Sequence, residues 1–375
     1  MAQWVTVWGQ AASCMNRITP RYHNRSMRLT VPAMLSGSAL RVRLSNRDGK
    51  KPLHVLEAAL QLNGGVFQPL SFDGAQGVIM PRGGECCSDV LSLPVKRGDD
   101  VSISLAFQGE VSSGNCVPES VHCSVDGNFV TAAQFRTVPC RNSADFDDMA
   151  HVVAAITELE VLSEEDGGAL VCFGDSITQQ GFWTRPLRTR MLMEDIRLTL
   201  VNKGIGGNRL LSPPAARRCA LYGRAGLERF ERDVLEVRGV KAVLIALGTN
   251  DICMGRLGEE SWTDAEMLQK GMESLAARAR ARGLRVLAAT LPPCMGTHLE
   301  EVLPTQEWER CALNNWIRST DIFDAVFDFD AVLRDPQQQD IISMAYEAGD
   351  HLHPNELGGL RMAEHAWEKL KGVLL

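Results

Sequence analysis

The chain has 375 residues, of which 45% are hydrophobic, and it carries a formal net charge of −7. This length and apolar content are enough for two hydrophobic cores, so we expect two domains. The negative charge argues against nucleic acid and anionic membranes as partners, and the sequence has no run of eighteen apolar residues that would predict a membrane-spanning helix.

The first residues, MAQWVTVWGQAASC, lack the basic start and the continuous apolar run of a secretory signal. The 11 cysteines are an odd number, and several of them, such as Cys172, Cys253 and Cys311, fall in predicted strands or helices. In a reducing compartment such cysteines act as small apolar side chains. We therefore expect a cytoplasmic protein with free thiols.

Alternation of apolar and polar residues with period two dominates the chain from Val5 to about Leu162. Turn sequences such as Ser-Gly and Asn-Gly-Gly interrupt this alternation and separate short strands. The pattern predicts a β-sandwich domain of jelly-roll type over residues 1–167. Its predicted strands include Arg28–Val31, Ala39–Leu44, Val55–Leu62, Val101–Ala106 and Gly127–Thr131.

Strands and helices alternate over residues 168–375, which predicts a doubly wound α/β/α domain with a parallel five-stranded sheet. Helices are expected from the residues after Ser176 through Phe182–Met193, over Asp264–Arg282 and after Pro354. A sheet of this kind binds its ligands beyond the carboxyl ends of the strands. The predicted strands are Ala169–Phe173, Leu198–Val201, Val240–Leu247, Leu284–Thr290 and Ala325–Phe329.

The stretch Gly168–Gln180, GALVCFGDSITQQ, leads from the first of these strands into a turn with Ser176 at its apex. Such a turn raises one side chain above the sheet edge and directs backbone N–H groups at whatever binds there. Ser176 is therefore a candidate nucleophile. The alternative is that Ser176 only caps the helix that follows, which serines do routinely.

Three further stretches follow in a fixed order: NKGIGGN at 202–208, GTND at 248–251 and DHLHPN at 350–355. Acyl transfer needs a hydroxyl, a base within hydrogen-bond reach and donors placed where negative charge develops on the carbonyl oxygen. His353 supplies the base, and Asp350 can hold its imidazole in one tautomer. Gly207 permits close approach of a backbone N–H because it lacks Cβ, and Asn250 offers a side-chain amide.

Other interpretations of these stretches are weaker. Gly204, Gly206 and Gly207 resemble a phosphate cradle, but no GK[ST] sequence follows them. A zinc site at Asp350, His351 and His353 has no further cysteine or histidine pair at ligand spacing to complete it. We therefore expect neither a metal nor a cofactor, and we expect Asp251 to brace the Asn250 turn by hydrogen bonds to backbone.

With the blocks GDSI, GIGGN, GTND and DHLHP in this order, the chain from about Leu170 to its end resembles the SGNH (GDSL-type) hydrolases. The resemblance implies a serine esterase with Ser176 as nucleophile and with His353 and Asp350 completing a catalytic triad. It also implies an oxyanion hole formed by the backbone N–H of Ser176, by Gly207 and by Asn250.

A β-sandwich ahead of such a domain resembles the layout of bacterial carbohydrate esterases, and GNRLL with RAGLERFERDVL resembles acylhydrolases associated with xylan breakdown. These resemblances imply a short-chain acyl substrate, with an O-acetyl ester on a plant-derived oligosaccharide favoured. Trp183 is a candidate to offer its ring to a sugar or to close off an acetyl pocket, with a core position as the alternative. The alternative activities are those of a general arylesterase, lipase or thioesterase acting on small acyl esters. The alternative of another class is a sugar-binding protein without activity.

Overall fold

The computed structural model describes residues 1–14, 22–138, 151–213, 221–253, 263–299 and 301–374. The chain divides into two compact units. One comprises Met1–Ala169 with Arg197–Val201, and the other comprises Leu170–Ile196 with Asn202–Leu375. The domain boundary between residues 167 and 168 stays a prediction.

The first unit is built from β-strands, as its alternating sequence pattern predicts. They are β1 Gln3–Gly9, β2 Ser13–Cys14, β3 Arg25–Pro32, β4 Ala39–Ser45, β5 Leu53–Leu62, β6 Gln68–Leu70, β7 Val78–Met80, β8 Glu85–Cys87, β9 Asp100–Gln108, β10 Ser113–Val117, β11 Ser120–Asp126, β12 Thr137–Val138, β13 His151–Ala154 and β14 Ile156–Ser163.

These strands pair into antiparallel sheets with the orders β1-β14-β4-β8, β13-β10-β2 and β12-β11-β3-β9-β5-β6, with β7 also paired to β5. In the largest sheet, β3 and β9 pair from Ser26 with Ala106 to Pro32 with Asp100. The expected antiparallel β architecture of this region is confirmed, whereas its jelly-roll topology stays a prediction. The predicted strand Gly127–Thr131 is wrong, because β11 ends at Asp126 and Gly127 has a φ of +136° that a strand does not allow.

From Gly168 onward the chain alternates strands and helices. Most of these elements belong to the second unit, whereas β16 lies almost entirely in the stretch that belongs to the first. The elements are β15 Gly168–Gly174, α1 Ser176–Gln179, α2 Thr184–Met193, β16 Leu198–Asn202, α3 Gly226–Phe230 with a π-helical turn over Glu231–Leu235, β17 Val240–Ala246, α4 Thr249–Cys253, α5 Ala265–Arg280, β18 Arg285–Ala289, α6 Pro304–Ser319, β19 Ala325–Phe327, α7 Phe329–Leu333 and α8 Glu356–Lys371.

The strands β15 to β19 form a five-stranded sheet in the order β16-β15-β17-β18-β19. Pairing is parallel between β17 and β18 and between β18 and β19. Every residue of β15 is buried, as expected of a strand covered on both faces. The predicted α/β domain with a parallel five-stranded sheet is thus confirmed.

Two features of the helices differ from the expectation. The helix after Ser176 is interrupted at Gly181, whose φ of +78° ends α1 and lets α2 start in a new direction. The helix α6 was not predicted, because its buried positions include Gln306, Arg310 and Asn314, so that no purely apolar stripe marks it.

Gly204, which follows β16, lies against the turn that carries Ser176. A Cβ atom on Gly204 would stand 2.8 Å from the Asp175 carbonyl oxygen and 2.8 Å from the Gln179 Cα atom. Backbone atoms cannot move aside as a flexible side chain can. The absence of a side chain at residue 204 therefore allows the segment after β16 to approach the Ser176 turn.

We expect Gly204→Ala to lower the free energy of unfolding by about 1–3 kcal/mol, the usual cost of overpacking a filled site. Thermal unfolding followed by circular dichroism measures this as a lower Tm. Gly372→Ala is the matched control, because a Cβ there would meet only the Lys369 carbonyl oxygen, at 3.8 Å. Equal Tm values for the two variants would contradict the close approach.

Candidate active site

The turn after β15 places Ser176 at the first residue of α1. Asp175 caps this helix, because its Oδ1 atom accepts a hydrogen bond from the Ile177 N–H at 3.1 Å. The backbone N–H of Gln179 donates to the Asp175 carbonyl oxygen at 2.9 Å. Both Asp175 and Ile177 are buried, so the turn that presents Ser176 is held by core contacts.

A second loop, between α7 and α8, brings His353 to this turn. The distance from His353 Nε2 to Ser176 Oγ is 2.8 Å, although 177 positions separate the two residues in the sequence. His353 Nδ1 lies 2.6 Å from Asp350 Oδ2. The three polar residues that the sequence singled out for a triad are therefore in one hydrogen-bonded row.

Asp350 fixes the conformation of this loop as well as the orientation of the imidazole. Its Oδ1 atom accepts the backbone N–H groups of Leu352 and His353 at 3.0 and 2.8 Å. Burial alone would raise the pKa of Asp350, but the hydrogen bond and charge of His353 and these two N–H groups lower it to about 2. An ionised carboxylate only accepts, so Nδ1 of His353 carries a proton, and Nε2 of the same ring lies at hydrogen-bond distance from the Ser176 hydroxyl.

Gly207 and Asn250 lie in two segments that contact each other. Asn250 is buried, and its Nδ2 atom donates to the carbonyl oxygen of Asn208 at 3.1 Å. Gly207 has a φ of +69°, a conformation that favours glycine. Among the described residues, neither the Ser176 nor the Gly207 backbone N–H donates a hydrogen bond within the protein, so both are available to a ligand.

The carboxyl group of Asp251, the residue after Asn250, is buried as well. Asp251 accepts the backbone N–H groups of Leu210 and Leu211 at 2.8 and 3.0 Å. Asp251 thus ties the segment after Gly207 to the start of α4. Its carboxylate bonds backbone as expected, accepting its own N–H as well as those of Leu210 and Leu211. Burial raises the pKa of Asp251 to about 6, against the lowering effect of those N–H groups.

The structure corrects the expectation for Trp183. Its side chain has an exposed fraction of 0%, and its ring packs on Phe329 with a centroid distance of 5.3 Å. A ring without accessible surface cannot stack on a sugar, so the core alternative describes Trp183 and the substrate-facing role is wrong. Trp183 follows the Ser176 turn closely in the sequence, but the sequence alone does not tell which way its ring points.

Two further histidines, His298 and His351, lie near Asp350. The exposed His298 and the half-buried His351 meet edge to face, with ring centroids 4.8 Å apart. The backbone N–H of His298 donates to the Asp350 carbonyl oxygen at 3.3 Å. His298 was not singled out in the sequence, because nothing in the GTHLE stretch marks it as a neighbour of a residue fifty positions later.

Within the part of the chain that the structure describes, no three His, Cys, Asp or Glu residues are arranged to hold a metal ion. No helix of the described residues is long and apolar enough to cross a membrane.

The sequence pattern of the GDSL-like lipase/acylhydrolase family matches residues 172–359, about half of the chain. This range contains Ser176, Gly207, Asn250, Asp350 and His353. No curated protein matches the chain.

Several solved structures resemble the chain over about half of its length. A GDSL-like lipase from Bacteroides thetaiotaomicron has 17% identity and a TM-score of 0.42, covering 55% of this chain and 89% of its own. The acetyl xylan esterase AlAXEase has 22% identity and a TM-score of 0.39, covering 53% and 98%. An acetylxylan esterase from Geobacillus stearothermophilus has 17% identity and a TM-score of 0.41, covering 56% and 96%.

The buried carboxyl of Asp175 generates a pH-dependent prediction. Burial raises its pKa from 3.8 to about 7, with Asp251 adding to the rise and the Ile177 N–H and His353 opposing it. The folded state therefore binds this proton more tightly than the unfolded state does. Its contribution to stability is complete below about pH 4 and is lost as the pH rises through about 7.

We expect Asp175→Asn, which keeps an oxygen for the Ile177 N–H but cannot ionise, to flatten the fall in Tm between pH 4.5 and 7.5. Calorimetry gives the free energy of unfolding at each pH across this range. Each unit by which the pKa of the folded state exceeds that of the unfolded state corresponds to about 1.4 kcal/mol of stability lost over the range. Asp264→Asn is the control, because Asp264 also caps a helix, by accepting from the Met267 N–H, but does so at the protein surface. A wild-type slope in Asp175→Asn would contradict the raised pKa.

Proposed function

The chain belongs to the GDSL-like lipase/acylhydrolase family and is a carboxylic ester hydrolase. From that premise we propose that Ser176, His353 and Asp350 are its catalytic triad. The observation that carries the proposal is the 2.8 Å hydrogen bond between His353 Nε2 and Ser176 Oγ, continued by the 2.6 Å contact between His353 Nδ1 and Asp350.

In the first step, Ser176 Oγ forms a bond to the ester carbonyl carbon while its proton passes to His353 Nε2. The carbonyl π electrons move to the oxygen, which becomes an oxyanion. Asp350 remains ionised and stabilises the imidazolium, which its low pKa favours. Collapse of the intermediate breaks the bond to the alcohol oxygen, which takes the proton from His353 and leaves an acyl-enzyme.

Hydrolysis of the acyl-enzyme repeats these steps with water. His353 accepts a proton from the attacking water, and the proton then returns to Ser176 Oγ as the acyl–oxygen bond breaks. The products are the carboxylic acid and the free enzyme. No group outside the triad and the carbonyl-oxygen donors is needed to balance the reaction.

We assign the oxyanion hole to the N–H groups of Ser176 and Gly207 and to the side-chain amide of Asn250. Asn250 uses one amide hydrogen on the Asn208 carbonyl oxygen, which orients the group and leaves its second hydrogen for the substrate. Donors of this kind act mainly on the transition state and contribute roughly 2.7–4 kcal/mol each.

For the substrate, we propose a short acyl ester, favouring O-acetyl, on an oligosaccharide. Tyr222 supports a small acyl group, because its ring lies against Gly207 so closely that a Cβ there would stand 2.6 Å from Tyr222 Cδ1. We assign the alcohol of the ester to the polar surface beside Asp350, where the His298 backbone N–H donates to the Asp350 carbonyl oxygen at 3.3 Å and Glu347 accepts the His351 backbone N–H at 3.2 Å. Hydroxyl-rich alcohols suit such a surface better than long apolar chains do.

We also propose that the enzyme acts in the cytoplasm. The support is the cysteine chemistry: Cys14 and Cys172 are buried thiols, in the manner of small apolar residues.

We expect Ser176→Ala to abolish hydrolysis of p-nitrophenyl acetate while the protein remains folded, since only one oxygen atom is removed. Ser319→Ala is the control, because the Ser319 hydroxyl donates within α6, to the Asn315 carbonyl oxygen. Turnover by Ser176→Ala above a few per cent of wild type would show that the nucleophile is another residue.

We expect Asn250→Ala to lower kcat by roughly 10²–10³ with a smaller effect on KM, because its donor acts mainly in the transition state. Asn314→Ala is a matched control: Asn314 is equally buried and bonds backbone atoms of Leu291. Its loss should lower stability and leave kcat within a factor of about three. Similar kcat values for the two variants would remove Asn250 from the oxyanion hole.

The substrate is tested by measuring acetate released from acetylated xylo- and manno-oligosaccharides, beside p-nitrophenyl esters of increasing chain length. The proposal predicts release of acetate from at least one oligosaccharide and a preference for acetate over octanoate. A preference for octanoate or longer, with no acetate released from any oligosaccharide, would instead indicate a lipase or thioesterase.

A further inference from the structure

Arg229, in α3, carries a charged side chain that lies in the interior of the protein. Its exposed fraction is 1%, and its guanidinium lies over the Phe173 ring with its carbon 4.0 Å from the ring centroid. Burying a cation is costly unless it is paired and its hydrogen bonds are made. The contacts of this side chain therefore show what the fold uses it for.

The guanidinium of Arg229 donates to each of the two segments that hold the Ser176 turn and Gly207. Its Nη2 donates to the Gly174 carbonyl oxygen at 2.8 Å, two residues before Ser176. Its Nη1 donates to the Lys203 carbonyl oxygen at 2.9 Å, and its Nε donates to Asn208 Oδ1 at 2.9 Å. One rigid planar group thus bridges the nucleophile turn and both ends of the segment around Gly207.

Asn208 extends this bridge to the segment that contains Asn250. Its side-chain amide donates to the carbonyl oxygens of Tyr222 and Arg224, both at 2.7 Å, while its Oδ1 accepts from Arg229. Its own carbonyl oxygen accepts the Asn250 amide at 3.1 Å. The side chain of Arg229 and the oxyanion donor of Asn250 are therefore linked through a single residue.

The charge of Arg229 is balanced nearby. Asp233 Oδ2 lies 3.0 Å from its Nη1, and Arg232 contacts the same carboxylate at 2.6 Å. Burial lowers the pKa of Arg229 to about 10, against the effect of Asp233, so the group is a cation at neutral pH. A lysine would keep that charge, but its single nitrogen cannot reproduce the fork that contacts four acceptors, three of them in the segments around Ser176 and Gly207.

We propose that Arg229 is a positioning residue, which fixes the nucleophile turn relative to the oxyanion donors and thereby sets the rate of acyl transfer. This inference rests on the proposed function of Ser176, Gly207 and Asn250. The competing explanation is that Arg229 only stabilises the fold through its ion pair with Asp233. The two explanations predict different behaviour of a folded variant. If Arg229 positions the donors, its replacement slows the chemical step. If Arg229 only stabilises the fold, its replacement lowers the temperature of unfolding and leaves the rate unchanged.

The test compares Arg229→Lys with the wild-type enzyme on p-nitrophenyl acetate, at a temperature where circular dichroism shows both to be folded. We expect kcat to fall roughly 10–100-fold with KM changed less than about threefold, because an interaction expressed mainly in the transition state is weakened. The pH dependence of kcat should keep its shape, since His353 and Asp350 are untouched. A wild-type kcat in folded Arg229→Lys would overturn the proposal.

Arg28→Lys is the matched control. Arg28 is a buried arginine of β3 that also donates to one side-chain oxygen and to carbonyl oxygens, those of Ser104, Val130 and Ala132. None of these belongs to the segments around Ser176, Gly207 or Asn250. Its variant should lose stability and keep kcat, and a loss of kcat equal to that of Arg229→Lys would show that the effect follows from destabilisation alone.

A double variant, Arg229→Met with Asp233→Met, removes both charges and avoids leaving a buried carboxylate without this partner. It should show the same fall in kcat as Arg229→Lys, and wild-type kcat in the folded double variant would also overturn the positioning role. The Ser176→Ala variant separates the two proposals. An inactive Ser176→Ala beside a fully active Arg229→Lys refutes only the role of Arg229, whereas an active Ser176→Ala refutes the proposed function.

Discussion

The hydrogen bond between His353 and Ser176 is the constraint on which the organisation of the catalytic unit depends. It joins a turn after β15 to a loop just before α8, so it links the first strand of this sheet along the chain to a segment that follows the last one. A bond of 2.8 Å tolerates little displacement of either partner, because hydrogen bonds weaken steeply with misalignment. Each partner is accordingly held by its own local device: Asp175 caps the helix that starts at Ser176, and Asp350 binds the backbone and the imidazole of His353 together.

Charged groups are concentrated beneath this site, although burying them is costly. Asp175, Asp251, Arg229 and Asp233 are all nearly inaccessible. The first three each bond backbone atoms of a segment that carries a proposed catalytic group, and Asp233 pairs with Arg229. Apolar side chains of similar size would fill the same space at lower cost, but they do not fix the direction of a backbone segment. The same devices make the unit sensitive to pH, because burial raises the pKa of Asp175 to about 7 and that of Asp251 to about 6.

Much of the fold could be predicted from the sequence where burial leaves a periodic pattern. The apolar runs of β15 and β17 and the stripe of α5 gave both the type and the place of these elements, and ordered motifs gave the candidate triad. The rest failed for physical reasons. Polar residues such as Arg310 and Asn314 are buried in α6 and satisfy their hydrogen bonds there, so the helix has no apolar stripe. The burial of Trp183 and the bridging by Arg229 depend on tertiary contacts that no local pattern encodes.

We propose above all that His353 makes the Ser176 hydroxyl nucleophilic. Mass spectrometry after treatment with a fluorophosphonate, which reacts with activated serine hydroxyls, tests it most directly. We predict one adduct per chain, located by peptide sequencing at Ser176, and formed far more slowly when His353 is replaced by alanine. An adduct at a different residue, or equally fast labelling of Ser176 without His353, would contradict the claim.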